Sequence, residues 1–556
     1  MRITSACARL ALSLVVVGLA VTGCGDDNGV TPGSSTVGST NDINPRDPSE
    51  LRDGGNLRLA LSNFPETFNY LHVDGGTETV FSIAEATMPA AFVSDAAGQL
   101  SVDHNFFTDI KLTGNSPQQV EYTINPKAVW SDGSPITWED LRSQANALSG
   151  KDNAFLVSAT GGFERVGKVE RGADDRQAVV TFDQPYGEWQ GLFSPLYPKS
   201  VTATPDAFTN AARNGLPQSA GPFVVTSIDR SQNRIVLGRN PKWWGDTPKL
   251  DSVTFSVLDH SAWLPAIQNN ELDIAYMSGI ENISAARNAA NVVIRRTPEP
   301  TWSHITFNGA PGSLLADPQL RIAISKAIDR QGVVTASQHG VVDDPKPLNN
   351  HVFVSGQKGY QDNAAPIAYD PDEAARMLDA LGWKLNGDVR EKDGRKLELR
   401  DVMYQQDQWV QTAQIVQQNL ARVGVKLSIQ TVPGTGLFTN VIDPGNFDLA
   451  QFSWNGSVLP LSGLRQIYYY DPNNLQGNKA RIGTPELNAL IDRTLSELDP
   501  DKAIQLANEC DRMIFEEGYS VPLNQASGTY AARTDLANYG AFGLASRDYT
   551  KVGFLK

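Results

Sequence analysis

The chain has 556 residues, with 47 Lys and Arg against 62 Asp and Glu and a formal net charge of −15. That length leaves room for two or three domains, each with a core of its own. An acidic chain without a Lys/Arg-rich stripe has no electrostatic reason to seek nucleic acid, which excludes that class of function; the charge reads instead as solubility at a crowded surface.

At the start, Arg2 and Arg9 form a basic n-region, an apolar h-region runs from Leu10 to Ala20, and the run closes on Val21-Thr22-Gly23-Cys24. The apolar stretch is too short to remain in a bilayer, and the small residues that follow mark a secretory signal. A cysteine directly after Gly23 matches the lipobox of bacterial lipoproteins. Residues 1–23 are therefore expected to be removed and Cys24 acylated. Cleavage leaves 533 residues and takes the charge to −17. No second apolar run is long enough to span a membrane, so the expected place is the extracytoplasmic face of the cell membrane, held by lipid alone. Cys7 leaves with the signal and Cys24 carries lipid, so Cys510 has no partner for an intramolecular disulfide.

Residues 24–53 follow as the lipidated cysteine and a Gly/Ser/Thr/Asn/Asp/Pro-rich segment without an aromatic residue, expected to be a flexible tether spanning roughly 30 Å. Order is expected from Gly54-Gly55, where Asn56–Leu61 alternates as a strand. Strand-like runs then include Val120–Ile124, Ala178–Phe182, Phe223–Ile228, Arg234–Leu237 and Ser252–Val257. A capping box, Thr137 to Asp140, opens a helix. A further helix is expected near Trp263–Asn269. In the second half, Asp317-Pro318, Asp370-Pro371 and Thr484-Pro485 read as helix starts. Gly382 and Gly424 read as helix stops, and Val425, Leu427 and Ile429 continue as a strand. Helix, glycine, strand is the grammar of an α/β lobe. Lys502–Phe515 reads as a helix that buries Cys510 as a packed thiol.

Signatures of catalysis are missing. There is no Gly-x-Ser-x-Gly elbow and no His-Glu-x-x-His. The six histidines never stand three or four residues apart, so neither a helical zinc site nor any cofactor is expected. The chain is read as not an enzyme.

Several spaced segments carry a resemblance instead. Trp130-Ser131-Asp132-Gly133-Ser134-Pro135-Ile136-Thr137 with Glu139-Asp140 is followed by Ser219-Ala220-Gly221-Pro222-Phe223 and Asn240-Pro241-Lys242-Trp243-Trp244. Phe307-Asn308 then leads to Asp317-Pro318, Arg321, Ala323-Ile324 and Ala327-Ile328-Asp329-Arg330. Tyr369-Asp370-Pro371, Leu381-Gly382-Trp383, Leu420 and Gly424-Val425 complete the order. Together these segments cover residues 54–540 and resemble the family 5 extracellular solute-binding proteins of ABC importers. The stretch Pro347-Leu348-Asn349-Asn350-His351-Val352-Phe353 is most similar to actinobacterial, mycobacterial-type oligopeptide-binding lipoproteins. Most of these residues read as structural: Asp132-Gly133 as a turn, Trp243 and Trp244 as apolar anchors, and Asp329-Arg330 as a local ion pair ending a helix.

The resemblance implies an α/β, large two-lobe periplasmic-binding-protein fold of the peptide-binding type, with an extra insertion domain and a two-strand hinge. Lobe one would cover 54–300, with the insertion at about 90–205, and lobe two 301–525. Residues 526–556 would return to lobe one, and strands near 298–308 and 518–528 would form the hinge. Ligand would lie between the lobes. The implied contacts are Asn63, Phe64, Glu66 and Asn69 from the first loop, and Trp302, His304 and Asn308 from the inter-lobe strand. Gln405, Trp409, Trp454 and Asn455 would face them. Many relatives place an aspartate shortly after this last tryptophan to hold a peptide's ammonium. Here Asn455–Leu461 contains no acid, and Glu66 is the candidate substitute. The implied partners are an oligopeptide and the transmembrane subunits of an ABC permease, with the chain itself a monomer. A regulatory or docking role at the envelope, or a metal chelate or haem as ligand, stays open beside it.

Overall fold

Leu57, Leu59 and Leu61 alternate inward along Asn56–Leu61, so one face of this strand joins a core while both its edges pair. In the computed structural model, which describes residues 41–433, 436–475 and 477–556, it is the central strand of a seven-stranded mixed sheet. The order is Val292–Arg296, Thr529–Arg533, Ile274–Tyr276, Asn56–Leu61, Ser252–Val257, Arg234–Arg239, Phe223–Asp229. We call this sheet and its cover the first lobe. The signal segment, Cys24 and tether residues 25–40 lie outside the described residues.

Phe107–Asn115, Gln118–Ile124, Gln177–Phe182 and Val166–Arg171 form an antiparallel insertion sheet. Helix Trp138–Leu148 packs on it over a core that includes Val120, Tyr122, Leu141, Val180 and Phe193. Asp140 reaches back to accept the Thr137 N–H at 2.9 Å, as the capping pattern requires. Trp243 and Trp244 are half-buried, 4.9 Å apart, with Phe106 against both rings.

The second lobe is a five-stranded sheet in the order Lys426–Val432, Glu398–Tyr404, Leu449–Trp454, Trp302–Phe307, Ser520–Gln525. Every residue of Trp302–Phe307 is buried. Helices Pro318–Lys326, Pro371–Ala380 and Asp407–Arg422 contribute to its main core. Helices Pro485–Ser496 and Pro500–Glu516 enclose Cys510 in a separate core, where burial pushes the thiol up to about 11. Two stretches connect the lobes, 297–301 and 526–528. They hold each other: Glu299 N–H donates to the Ala526 carbonyl at 3.0 Å and Ala526 N–H to the Thr301 carbonyl at 2.8 Å.

Two expectations need correction. The tether does not extend to residue 53: Asp42 bridges Ala541, Pro48–Glu50 forms a helical turn, and Leu51 is buried against the C-terminal segment. Its few apolar groups bury only because the distant C-terminus supplies the other surface. Asp329 and Arg330 do not pair with each other. Asp329 caps the next helix, accepting Gly332 N–H at 2.9 Å, while the buried Arg330 donates to the Leu348 carbonyl and to Asn349.

Candidate functional site

Parallel strands send their C-terminal loops to one edge of a sheet, and ligands collect at such edges. In the first lobe, Asn56–Leu61 runs parallel to Ser252–Val257 and Ile274–Tyr276. Val292–Arg296 has the same direction, since it and Ile274–Tyr276 are both antiparallel to Thr529–Arg533. One edge therefore carries the loop 62–69 with residues 258–260, 277–279 and 297–299. In the second lobe, Glu398–Tyr404 is parallel to Lys426–Val432 and Leu449–Trp454, so Gln405 and Asn455 leave from one edge. Trp302–Phe307 begins at that edge and Ser520–Gln525 ends there. Both edges abut the crossing stretches, which brings them to the two sides of one cleft.

The expected ligand residues divide sharply on this frame. Asn63 and Glu66 are exposed on the first edge, and Phe64 is half-buried beneath the Arg230 guanidinium at 4.5 Å. Gln405 and Asn455 are exposed on the second, where Asn455 accepts the Thr301 hydroxyl at 3.2 Å. Trp454 is half-buried, with Phe452 5.4 Å away and the His304 ring parallel to it at 6.0 Å. Trp302 is buried behind it, in a cluster with Leu348, Val354 and Leu544.

The remaining four are corrected by their surroundings. Asn69 is fully buried, donating to the Phe208 carbonyl at 2.9 Å and accepting Leu71 N–H at 3.2 Å, so it braces its own loop. Asn308 lies at the far end of its strand from the cleft and donates to the Gly445 and Phe447 carbonyls, both at 3.0 Å. Trp409 packs into a small core with Met403 and Ala413. His304 is fully buried between rings. Burial pushes it down to about 3, so it is neutral, and its Nε2 has no hydrogen-bond partner.

Other groups at the cleft escaped sequence reasoning. The Tyr530 hydroxyl donates to Glu299 at 2.6 Å, and burial raises this carboxyl above its usual range while the phenol pulls the other way. Glu85 is ion-paired with Arg547. A recess of about 130 Å³ opens on the first-lobe edge between His260, Leu264, Tyr276, Ser278 and Asn282. A larger groove of about 320 Å³ lies on the insertion sheet beside Lys151, Phe155 and Lys168, away from either edge. Glu299, Tyr530 and Arg547 belong to no local motif; a 231-residue separation hides the first pair.

A hydrolase-like array is also present. Ser520 Oγ stands 3.1 Å from His351 Nε2, whose Nδ1 is 2.8 Å from Asp511. The three residues are 2 %, 4 % and 0 % exposed, and Trp302, Tyr468 and Phe515 pack around the imidazole. With no path for a substrate, this network is a buried polar brace. Among the described residues, no three His, Cys, Asp or Glu side chains are grouped to hold a metal, and no helix is long and apolar enough to cross a membrane.

Comparison with known proteins agrees with this architecture. The profile of the "Bacterial extracellular solute-binding proteins, family 5 Middle" matches residues 115–476. The chain is 51 % identical over 554 residues to the "Oligopeptide-binding protein OppA" of Mycobacterium tuberculosis, covering 98 % of this chain and 93 % of that one. The "Periplasmic EDTA-binding protein EppA" superposes with a TM-score of 0.87 at 22 % identity, covering 95 % of this chain and all of that one. The "oligopeptide-binding protein, AppA, from Bacillus subtilis in complex with a nonapeptide" does so at 0.77 and 19 %, covering 91 % of this chain and all of that one. Two α/β lobes facing each other across paired crossing segments are a device for binding, and the chain belongs to family 5 of the bacterial extracellular solute-binding proteins.

Proposed function

We propose that this protein is the extracytoplasmic, lipid-anchored receptor of an ABC importer, capturing oligopeptides in the cleft and delivering them to the permease. The observation that carries the peptide reading is the 51 % identity, sustained over 98 % of the chain, to a protein named for oligopeptide binding. The chemistry of the edges supports it. Exposed amides of Asn63, Gln405 and Asn455 suit the N–H and C=O groups of an extended chain, while the half-buried Trp454 offers a face to varied side chains.

The cleft acids do not single out an ammonium. Glu85 is taken by Arg547, Glu299 by Tyr530, and Glu66 and Glu78 are exposed. Recognition therefore rests on backbone groups and aromatic surface, and selectivity is broad. Calorimetric titration with tri-, penta- and nonapeptides, each unmodified and N-acetylated, tests this. Expected is binding of mixed sequences with less than about a fivefold loss on acetylation, since no single buried pair is broken. Loss of all binding on acetylation would show a dedicated amine site. Binding of Fe(III)-EDTA but of no peptide would transfer the function to metal chelates.

Cys24 supplies the anchor in this reading, with two acyl chains giving stable attachment where one is marginal. The Cys24→Ser protein should appear folded in the soluble fraction. Retention on membranes after a salt wash would refute a single lipid anchor.

A further inference from the structure

Away from the crossing stretches, the lobes meet a second time where the flank of the insertion sheet reaches the second lobe. Glu188 is buried there, and its two carboxylate oxygens accept the backbone N–H groups of Leu461 and Ser462, each at 2.8 Å. Beside it, Gly187 N–H donates to the Leu495 carbonyl at 2.8 Å. The buried Arg165 donates to the Ser496 hydroxyl at 2.9 Å, with Asp492 3.8 Å away. Each of these bonds joins the insertion sheet to the second lobe.

Leu461 and Ser462 end the stretch that begins at Trp454 and Asn455 on the cleft edge and contains no acid of its own. Ser462 opens a short helical segment running to Tyr468, so the N–H groups at its start have no partner within the segment. Glu188 supplies the missing acceptor from the opposite lobe. A carboxylate at a helix start makes charge-assisted bonds. Burial pushes the Glu188 carboxyl up to about 7 while these two N–H groups pull it back, and without it the buried Leu461 N–H and the half-buried Ser462 N–H would lose their acceptor. Gly187 shows how close the approach is: a Cβ there would stand 2.4 Å from the Glu497 carbonyl oxygen.

We propose that Glu188 is the positioning residue that latches the closed cleft, fixing from across the lobes the stretch that carries Trp454 and Asn455. The proposal rests on the reading of the cleft as the ligand site. Opening must break both bonds to Glu188, whereas capture starts from an open state in which this carboxylate is in water. The latch therefore slows release and leaves association unchanged.

The test uses the full-length chain in detergent, an unmodified pentapeptide, stopped-flow binding and amide hydrogen exchange. Glu188→Ala should raise the dissociation rate about tenfold with the association rate unchanged, and raise exchange at Leu461 and Ser462 by a similar factor. Glu188→Gln, which keeps one carbonyl acceptor, should fall between. Gly187→Ala should give the same release phenotype by steric blockade while leaving the carboxylate in place. Faster exchange at 461–462 with unchanged dissociation in Glu188→Ala would overturn the latch, as would exchange unchanged from wild type. If wild type binds no pentapeptide, the reading of the cleft fails, while exchange at 461–462 still reports whether Glu188 holds that stretch.

Discussion

Trp454 and His304 lie with parallel rings on one sheet and differ in access, Trp454 half-buried at the sheet edge and His304 fully buried. Trp454 keeps an open side, so Trp454→Ala should weaken every peptide together, by about 2 kcal/mol or roughly 30-fold, read by calorimetry. Loss for one peptide alone would mean that Trp454 reads sequence. His304 acts through stability. Its folded form stays neutral to about pH 3, whereas the unfolded chain takes up the proton near 6.5. Below pH 6.5 the unfolded state thus binds more protons, and this group removes about 1.4 kcal/mol of stability per pH unit down to about 3. Asp401, pushed by burial up to about 7, has the opposite sign: its contribution is complete below its unfolded value and is lost as pH rises toward 7. The difference in urea-unfolding free energy between wild type and His304→Phe, followed from pH 7 to 4, isolates the histidine. Parallel pH curves for the two proteins would refute its neutral burial.

At the scale of elements, caps and stops behave as local chemistry dictates. Asp329→Ala removes the acceptor for Gly332 N–H and should cost about 1 kcal/mol, seen as a lower denaturant midpoint with the same slope. Gly424→Ala should cost more. The position has φ +79°, and a Cβ would stand 2.6 Å from Leu385 Cδ1 and 3.0 Å from Arg390 Cγ. If both substitutions are equally mild, the β-hairpin of residues 384–392 moves aside more easily than its packing indicates. Gly424 and the caps at Asp317, Asp370 and Thr484 were legible in advance, because each of these three side chains accepts from a backbone N–H within three residues of itself, whereas Asp329 was read as an ion pair and is a cap. Asn69 and Asn308 misled for the complementary reason: their partners, Phe208 and the Gly445–Phe447 loop, are more than 130 residues away.

For the whole molecule, two lobes held by two paired stretches should move as bodies about 297–301 and 526–528. A ligand touching both edges stabilises the closed arrangement selectively. Small-angle scattering at saturating pentapeptide should show a smaller radius of gyration than the ligand-free protein, and the contraction should be diminished in Glu188→Ala. An unchanged radius in wild type would indicate a rigid protein and a role other than capture and release.

The alternation of Leu57, Leu59 and Leu61, the helix starts at Asp317, Asp370 and Thr484, and family membership were determined by neighbouring residues, since each is written in short-range periodicity, capping or ordered motifs. Tertiary structure alone decided which of these pieces meet. Thr529–Arg533 enters the first-lobe sheet between two strands more than 230 residues earlier, Tyr530 reaches Glu299, and Glu188 reaches Leu461 and Ser462. The same pairing buried His304 and Trp409 while leaving Gln405 and Asn455 at the edge. A side chain's chemistry can be read from its type, but its access to a ligand depends on which surface the rest of the chain folds over it.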